Sequence, residues 1–143
     1  MAFAGQKITA AQFNRLQPKK YSAVGTGTLT GPLSNADVTG ATITLTTETA
    51  NAMYTVWCTW DFNMTGASSG TETGRLNLDG ANLSPLTTNA DPDNGGRGTV
   101  PQNYNGTIAT PGSHTFKLVA SPLTGQQVQN VNCSIIVEIT EVV

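Results

Sequence analysis

From Tyr21 onward the chain alternates apolar and polar residues with the two-residue period of β-strands that bury one face. In residues 41–47 Ile43 and Leu45 alternate with threonine, and the longest alternating run covers residues 53–64. One face of that run predicts core positions at Tyr54, Val56, Cys58, Trp60, Phe62 and Met64. The other face places Asp61 in solvent. It also carries an outlying Trp57, which we interpret as a lid over the core edge or a subunit contact.

The remaining pattern predicts more strands separated by turn residues. Residues 75–86 have the form of a hairpin, because Asp79-Gly80 suits a tight turn with positive φ. The stretches rich in Gly, Asn, Asp and Pro predict loops at residues 66–70 and 89–98. Further strands are predicted at residues 22–30, 100–109, 113–120 and 128–143. About eight strands with this spacing favour an all-β, jelly-roll-like two-sheet sandwich, with an immunoglobulin-like sandwich as the alternative.

The first 20 residues have a different pattern and predict a short helix. Thr9 and Gln12 have the spacing of a capping box, and Pro18 stops the helix. Its apolar positions share one side: Ile8, Phe13 and Leu16. A helix this short is marginal alone in water, so this side either packs on its own domain or docks on another subunit. We therefore predict an N-terminal anchor segment, residues 1–20, and a β-sandwich domain, residues 21–143.

Charge is sparse and unevenly distributed. The formal net charge is −2, yet residues 1–20 carry +4 and residues 21–143 carry −6. An acidic body argues against nucleic-acid binding, which needs clustered Lys and Arg. The sequence has neither a secretory signal pattern nor an apolar run of about 18 residues, so we expect a protein made in a cytoplasm without a membrane partner.

The residue pattern argues against an enzyme. Nucleophilic catalysis of the Ser-His-Asp type would have to use His114, the single histidine, and its neighbour Ser113 points to the opposite side of the strand. Glycoside hydrolysis needs two paired carboxylates, and no spacing selects a pair. The acidic residues on or near strands are Asp61, Glu72, Asp79, Glu138 and Glu141. We expect no catalytic residues and no cofactor.

The sequence gives weak evidence for a metal site and leaves the state of the two cysteines open. No Cys/His cluster occurs, which argues against a zinc site. The 89–98 loop begins like a calcium-binding loop at Asp91, Asp93 and Asn94, but it lacks the acidic twelfth ligand, so a plain turn is the favoured interpretation. Cys58 and Cys133 both fall on predicted core faces. They are either two buried thiols, which we favour, or a disulfide across the sheets.

Three segments carry a resemblance to a known class of proteins. They are GQKITAAQFNRLQP at residues 5–18, TIATPGSHTFKLVA at residues 107–120 and VEITEVV at residues 137–143. Together they resemble small virion structural proteins of tailed bacteriophages that infect actinobacteria. The residues matching the N-terminal pattern are Gly5, Gln6, Ile8, Thr9, Ala10, Asn14, Leu16 and Pro18.

This resemblance implies a tail, fibre or head-surface subunit with a jelly-roll domain, a homotrimer located in the virion and made in the host cytoplasm. Its partners would be other virion proteins of the tail, baseplate or capsid, and a host cell-surface glycan is a further candidate. We expect residues 1–20 to hold the protein on the particle. The residues predicted to dock there are Ile8, Phe13, Arg15, Leu16, Lys19 and Lys20.

Two other functions compete with a virion role. A non-catalytic carbohydrate-binding module would need exposed aromatic side chains, for which Trp57 and Tyr104 are the candidates; both are equally candidates for subunit contacts. A hydrolase of cell-wall sugars is disfavoured because no carboxylate pair stands out.

Overall fold

A computed structural model describes residues 7–64, 70–91 and 96–141. In these residues the chain forms one short helix, eleven strands and a single 3-10 turn at Asn130–Asn132. The helix is α1 (Ala10–Leu16). The strands are β1 (Lys19–Val24), β2 (Leu29–Thr30), β3 (Ala36–Thr47), β4 (Ala52–Met64), β5 (Gly70–Leu78), β6 (Ala81–Asn82), β7 (Thr87–Asp91), β8 (Arg97–Ile108), β9 (Gly112–Ser121), β10 (Gln126–Val128) and β11 (Ser134–Thr140).

The strands form two antiparallel sheets. In the first, the β4 sheet, β8 lies along one side of β4, β11 and β10 lie along its other side, and β1 and β2 follow outside them. In the second, the β9 sheet, the order is β3-β9-β5, with β7 and β6 on the far side of β5. The long strands therefore run β1-β11-β4-β8 and β3-β9-β5-β7. This order is that of a jelly roll and confirms the predicted fold class.

The core lies between the sheets and follows the two-residue period of the strands. The predicted inner face of β4 is buried from Tyr54 to Met64. It meets the inner face of β9, where Phe116 contacts the ring of Tyr54 edge-on at 5.4 Å. Trp60 is fully buried and its indole N–H donates to the Val119 carbonyl at 3.2 Å, so the largest core side chain is also satisfied.

The connections between the strands lie at two opposite ends of the molecule. At one end, here called the helix end, lie the turns at residues 48–51, 79–80 and 109–111, the start of β1 and the end of β11. At the opposite end, the loop end, lie the connections at residues 25–35 and 122–133, and there β4 and β7 end and β5 and β8 begin. Because α1 leads directly into β1, it belongs to the helix end.

Several local predictions are confirmed and others are wrong. Asp79 and Gly80 have φ of 51° and 88°, as a tight hairpin turn requires. The 89–98 segment is not all loop, because β7 runs to Asp91 and β8 begins at Arg97. The predicted strand 22–30 is two short strands, and 128–143 is broken by the 3-10 turn before β11. The predicted loop at 66–70 lies outside the described residues except for Gly70, which begins β5.

Candidate interaction surfaces

Helix α1 begins with the predicted capping box and buries none of its residues. The Gln12 backbone N–H donates to Thr9 Oγ1 at 3.2 Å, and the Thr9 N–H donates to Gln12 Oε1 at 2.9 Å. The apolar side does not face the core. Ile8, Phe13 and Leu16 are 59%, 57% and 38% exposed. The sandwich therefore closes its core without this side of the helix.

The basic residues of the predicted docking segment already have acidic neighbours within the chain. Lys19 lies 3.5 Å from Glu141, and Lys20 lies 3.5 Å from Glu138. Both lysines belong to β1, so the first strand begins inside the segment predicted as an anchor. Arg15 of the helix approaches Glu48 of the β3–β4 turn at 3.8 Å. The chain itself thus supplies an acidic partner for each of the three cations predicted to dock on the particle.

Glu141 organises the helix end. It is buried, and its Oε2 accepts the backbone N–H groups of Glu48 and Thr49 at 2.9 and 3.0 Å. Although burial acts to raise it, the pKa of Glu141 is lowered because the Glu48 N–H, the Lys19 ammonium and Thr49 favour the charged form. This carboxylate fixes the β3–β4 turn against the end of β11, next to the start of β1.

The two aromatic candidates lie in different environments. Trp57 is 38% exposed on the outer face of the β4 sheet, and the Lys20 ammonium lies 5.4 Å from its ring centroid. Tyr104 is buried, and its hydroxyl donates to the Pro85 carbonyl at 2.7 Å. The expectation of an exposed contact was therefore wrong for Tyr104. Its pairing with Val56 of β4 turns both side chains to the inner face.

Asp61, predicted to be solvated, is also buried. Arg97 covers it with three hydrogen bonds, from Nε to Oδ1 at 2.9 Å and to Oδ2 at 3.2 Å, and from Nη2 to Oδ2 at 2.6 Å. Asn132 donates to Oδ2 at 2.6 Å. The Arg97 guanidinium holds the pKa of this carboxyl below its usual range. Alternation along β4 gives the correct outer face, but it cannot reveal an arginine on the neighbouring strand that covers this position.

His114 has a structural role in the described residues. Its Nδ1 lies 2.7 Å from Asp79 Oδ2, and its Nε2 lies 3.0 Å from the Thr110 carbonyl oxygen. Asp79 Oδ1 also accepts the Thr115 backbone N–H at 2.7 Å. These contacts tie the β5–β6 turn and the β8–β9 turn to β9. Ser113 is exposed on the opposite side of the strand, as predicted, so it does not meet the imidazole.

Glu72 is a buried carboxyl that the sequence reasoning treated as one acidic residue among several. It faces the interior from β5 with no exposed surface, and its Oε1 has no hydrogen-bond partner among the described residues. Its Oε2 accepts a long hydrogen bond of 3.4 Å from the Asn89 amide of β7. Burial raises the pKa of Glu72 to about 7. Its burial could have been predicted from the sequence, because Glu72 lies an even number of residues from Leu76 and therefore on the same face of the strand.

Neither the cysteines nor the acidic residues form a metal site within the described parts of the chain. Cys58 and Cys133 are buried free thiols, and burial raises the pKa of Cys133 to about 11. Over residues 7–64, 70–91 and 96–141 no three His, Cys, Asp or Glu side chains come together as metal ligands would. The calcium candidate at Asp91, Asp93 and Asn94 has side chains that lie outside the described residues.

Comparison with known proteins identifies no family for this chain. No family model and no curated protein matches the sequence. Among solved structures, the chain is similar to dimeric latent PorU from Porphyromonas gingivalis, with 12% identity and a TM-score of 0.49. That likeness covers 87% of this chain but 13% of PorU. Among the described residues no helix is both long enough and apolar enough to span a membrane.

Proposed function

We propose that this protein is a non-catalytic structural subunit of a bacteriophage virion, exposed on a tail, fibre or head surface and held there by its N-terminal segment. The observation that carries the proposal is α1, whose apolar side is exposed while the sandwich core is complete without it. An exposed apolar helix side is the kind of element that docks into a groove of another protein. The resemblance of the N-terminal segment to phage virion proteins supports the same role.

The two ends of the jelly roll differ, and this difference supports a subunit that is anchored at one end and projects at the other. The helix lies at the same end as three short turns, whereas the longer connections lie at the loop end. Strand β4 has 13 residues, which at about 3.3 Å per residue separates the two ends by about 40 Å. A particle that holds the helix end would therefore present the loop end outward.

The chemistry of the side chains supports a non-catalytic role. A hydrolase needs carboxyl groups that reach a substrate. Asp61 is covered by Arg97, Glu141 is bound to backbone N–H groups, and Glu72 is enclosed in the core. For the alternative of a carbohydrate-binding module, Trp57 is the one remaining aromatic candidate, because Tyr104 is buried. We therefore place the virion role first.

The proposal is tested by changing the apolar side of α1 in the full-length chain. Phe13→Asp with Leu16→Asp should abolish incorporation into particles, measured by immunogold labelling with an antibody raised against residues 21–143. Because neither side chain is buried, the melting temperature should stay unchanged. Asn14→Asp, an exposed change on the same helix, is the matched control and should label particles normally.

Two outcomes would contradict the proposal. Normal labelling by the Phe13 and Leu16 variant would show that the helix is not the anchor. A large loss of stability in a chain that begins at residue 18, which keeps all of β1, would show that the segment belongs to the sandwich. Label over the head would identify a decoration or head-fibre subunit, and label at the tail would identify an adsorption or baseplate component.

A further inference from the structure

The outer face of the β4 sheet carries large apolar side chains that nothing in the described chain covers. Val24 of β1 is 58% exposed, Met53 of β4 is 49% exposed and Trp57 of β4 is 38% exposed. Ile136 of β11 lies between them, paired directly with Trp57 and with Ser22. We call the outward-facing residues of β1, β4, β8 and β11 the β4-sheet face.

The outer face of the β9 sheet is different. None of the exposed large apolar residues described in the chain lies on it. Most of its exposed positions on β3 are threonines, such as Thr44 and Thr46, and Thr44 forms a 3.0 Å hydrogen bond with Thr115 of β9. The fold thus has two different outer faces. One is rich in hydroxyl groups, and the other contains an aromatic ring, a thioether and a branched aliphatic chain.

The β4-sheet face is also electrically neutral within the chain. Its charged residues form two pairs: Lys20 with Glu138 at 3.5 Å, and Arg97 with Asp61 at 2.6 Å. Removing water from a surface is costly when it leaves a charge without a partner. Here every charged residue on the face has its partner beside it, so the face can be covered by a neutral surface. A copy of the same face is such a surface.

The size of the face suits a specific interface. Strands β1, β4, β8 and β11 have 6, 13, 12 and 7 residues, so at about 3.3 Å per residue and about 4.8 Å between strands the face covers about 600 Å². Two such faces would bury about 1,200 Å² in all, which is the lower end of the range for specific protein interfaces. The apolar residues are spread over β1, β4 and β11 rather than gathered into one platform, and Lys20 already lies over the Trp57 ring. This distribution suits the broad face of another sheet better than a single sugar ring.

We infer that the β4-sheet face packs against the same face of another copy of this chain, with Trp57 near the centre of the contact. Two sheets that pack face to face lie about 10 Å apart and interlock their side chains, as the two sheets within this fold do. The contact is self-complementary because both sides offer the same neutral, partly apolar surface. The inference goes beyond the proposed virion role and does not depend on it.

The test uses the purified full-length protein without phage particles. Sedimentation velocity and light scattering over about two decades of protein concentration, from about 1 to about 200 µM, should give twice the 14.9 kDa chain mass, because a contact between identical faces closes as a dimer. Trp57→Glu should raise the dissociation constant by about 30-fold or more, as loss of a central tryptophan does. Thr44→Glu, a charge on the outer face of the β9 sheet, is the matched control and should leave the mass unchanged.

A wild-type protein that is monomeric over the whole range would overturn the inference, whether or not it binds a glycan through Trp57. An oligomer that survives Trp57→Glu but dissociates in the Phe13→Asp and Leu16→Asp variant would also overturn it, since α1 would then hold the copies together. If Trp57→Glu does not fold, Met53→Glu decides, because Met53 is more exposed on the same face. Retention of the oligomer by that variant would refute the contact.

Discussion

Replacement of Glu72 by glutamine should remove a pH dependence of stability that the wild-type protein has between about pH 5 and pH 8. Glu72 is fully buried, its Oε1 lacks a partner in the described structure, and its one hydrogen bond, from Asn89, is long. Burial raises its pKa from 4.5 to about 7 in the folded chain. The unfolded chain exposes the carboxyl and restores its ordinary pKa.

The sign of the effect follows from proton binding. Between about pH 4.5 and pH 7 the folded state keeps a proton on Glu72 that the unfolded state releases, so stability falls as pH rises. A shift from 4.5 to about 7 corresponds to about 3 kcal/mol at 1.36 kcal/mol per pKa unit. The contribution is fully present below pH 4.5 and is lost once the pH has passed about 7. Glutamine, always neutral, has no such dependence.

Urea unfolding followed by tryptophan fluorescence measures the effect, since Trp60 is fully buried in the same core. The two proteins should have similar stability at about pH 5, and Glu72→Gln should be more stable by about 3 kcal/mol at about pH 8. The difference between them isolates Glu72, because the two proteins differ at that residue alone. Protein concentration is held constant, since association also shifts apparent stability. A difference that is constant within about 0.5 kcal/mol across this range would refute the reasoning.

Three further predictions concern the core and the buried ion pair. Asp61→Asn should lower the free energy of unfolding by about 1–2 kcal/mol, because the half-exposed arginine can be rehydrated, and it should reduce the loss of stability below about pH 4 in acid titrations. Gly106→Ala should cost about 1–3 kcal/mol in thermal unfolding, because a Cβ there would lie 2.6 Å from the Tyr54 hydroxyl; an unchanged melting temperature would contradict this. A thiol reagent at neutral pH should label Cys58 and Cys133 only after denaturation, and a mass lower by two hydrogens would reveal a disulfide instead.

Strand patterning predicted the fold because each long strand buries one face. In β4 every residue assigned to the core from Tyr54 to Met64 is buried, and β9 repeats the pattern at Phe116 and Leu118. The short strands β2 and β10 were not separated from their neighbours because two or three residues give no period to detect, and β7 was missed because its second half was predicted as part of a loop. The 3-10 turn at Asn130–Asn132 was missed because it interrupts a run that is apolar enough to read as one strand.

The interaction surfaces could be predicted less completely than the fold. Trp57 was identified because it is an apolar residue on a polar face, and the structure leaves it exposed. Tyr104 was misplaced because Gly106, two residues away on the same face of β8, has no side chain, so the apolar alternation along this strand is hard to recognise. The hydrogen-bond partners of Asp61 and Glu141 come from residues 36 to 93 positions away, so no local pattern contains them. Long-range contacts of this kind depend on which strands lie side by side in the sheet. The alternation of residues along one strand does not reveal them.

The proposed anchor and the inferred copy-to-copy contact use different residues, the first on α1 at the helix end and the second on the outer face of the β4 sheet. A subunit can therefore occupy both at once, and the two groups of variants should act independently on their own readouts. Phe13→Asp with Leu16→Asp should abolish particle binding and leave the solution mass unchanged, since those side chains lie outside the β4-sheet face. Trp57→Glu should lower the mass and weaken particle binding only through lost avidity, by an amount that grows with the number of anchors per oligomer. If Trp57→Glu abolished particle binding even at saturating protein, the two surfaces would be one interface, and the assignment of the anchor to α1 alone would be wrong.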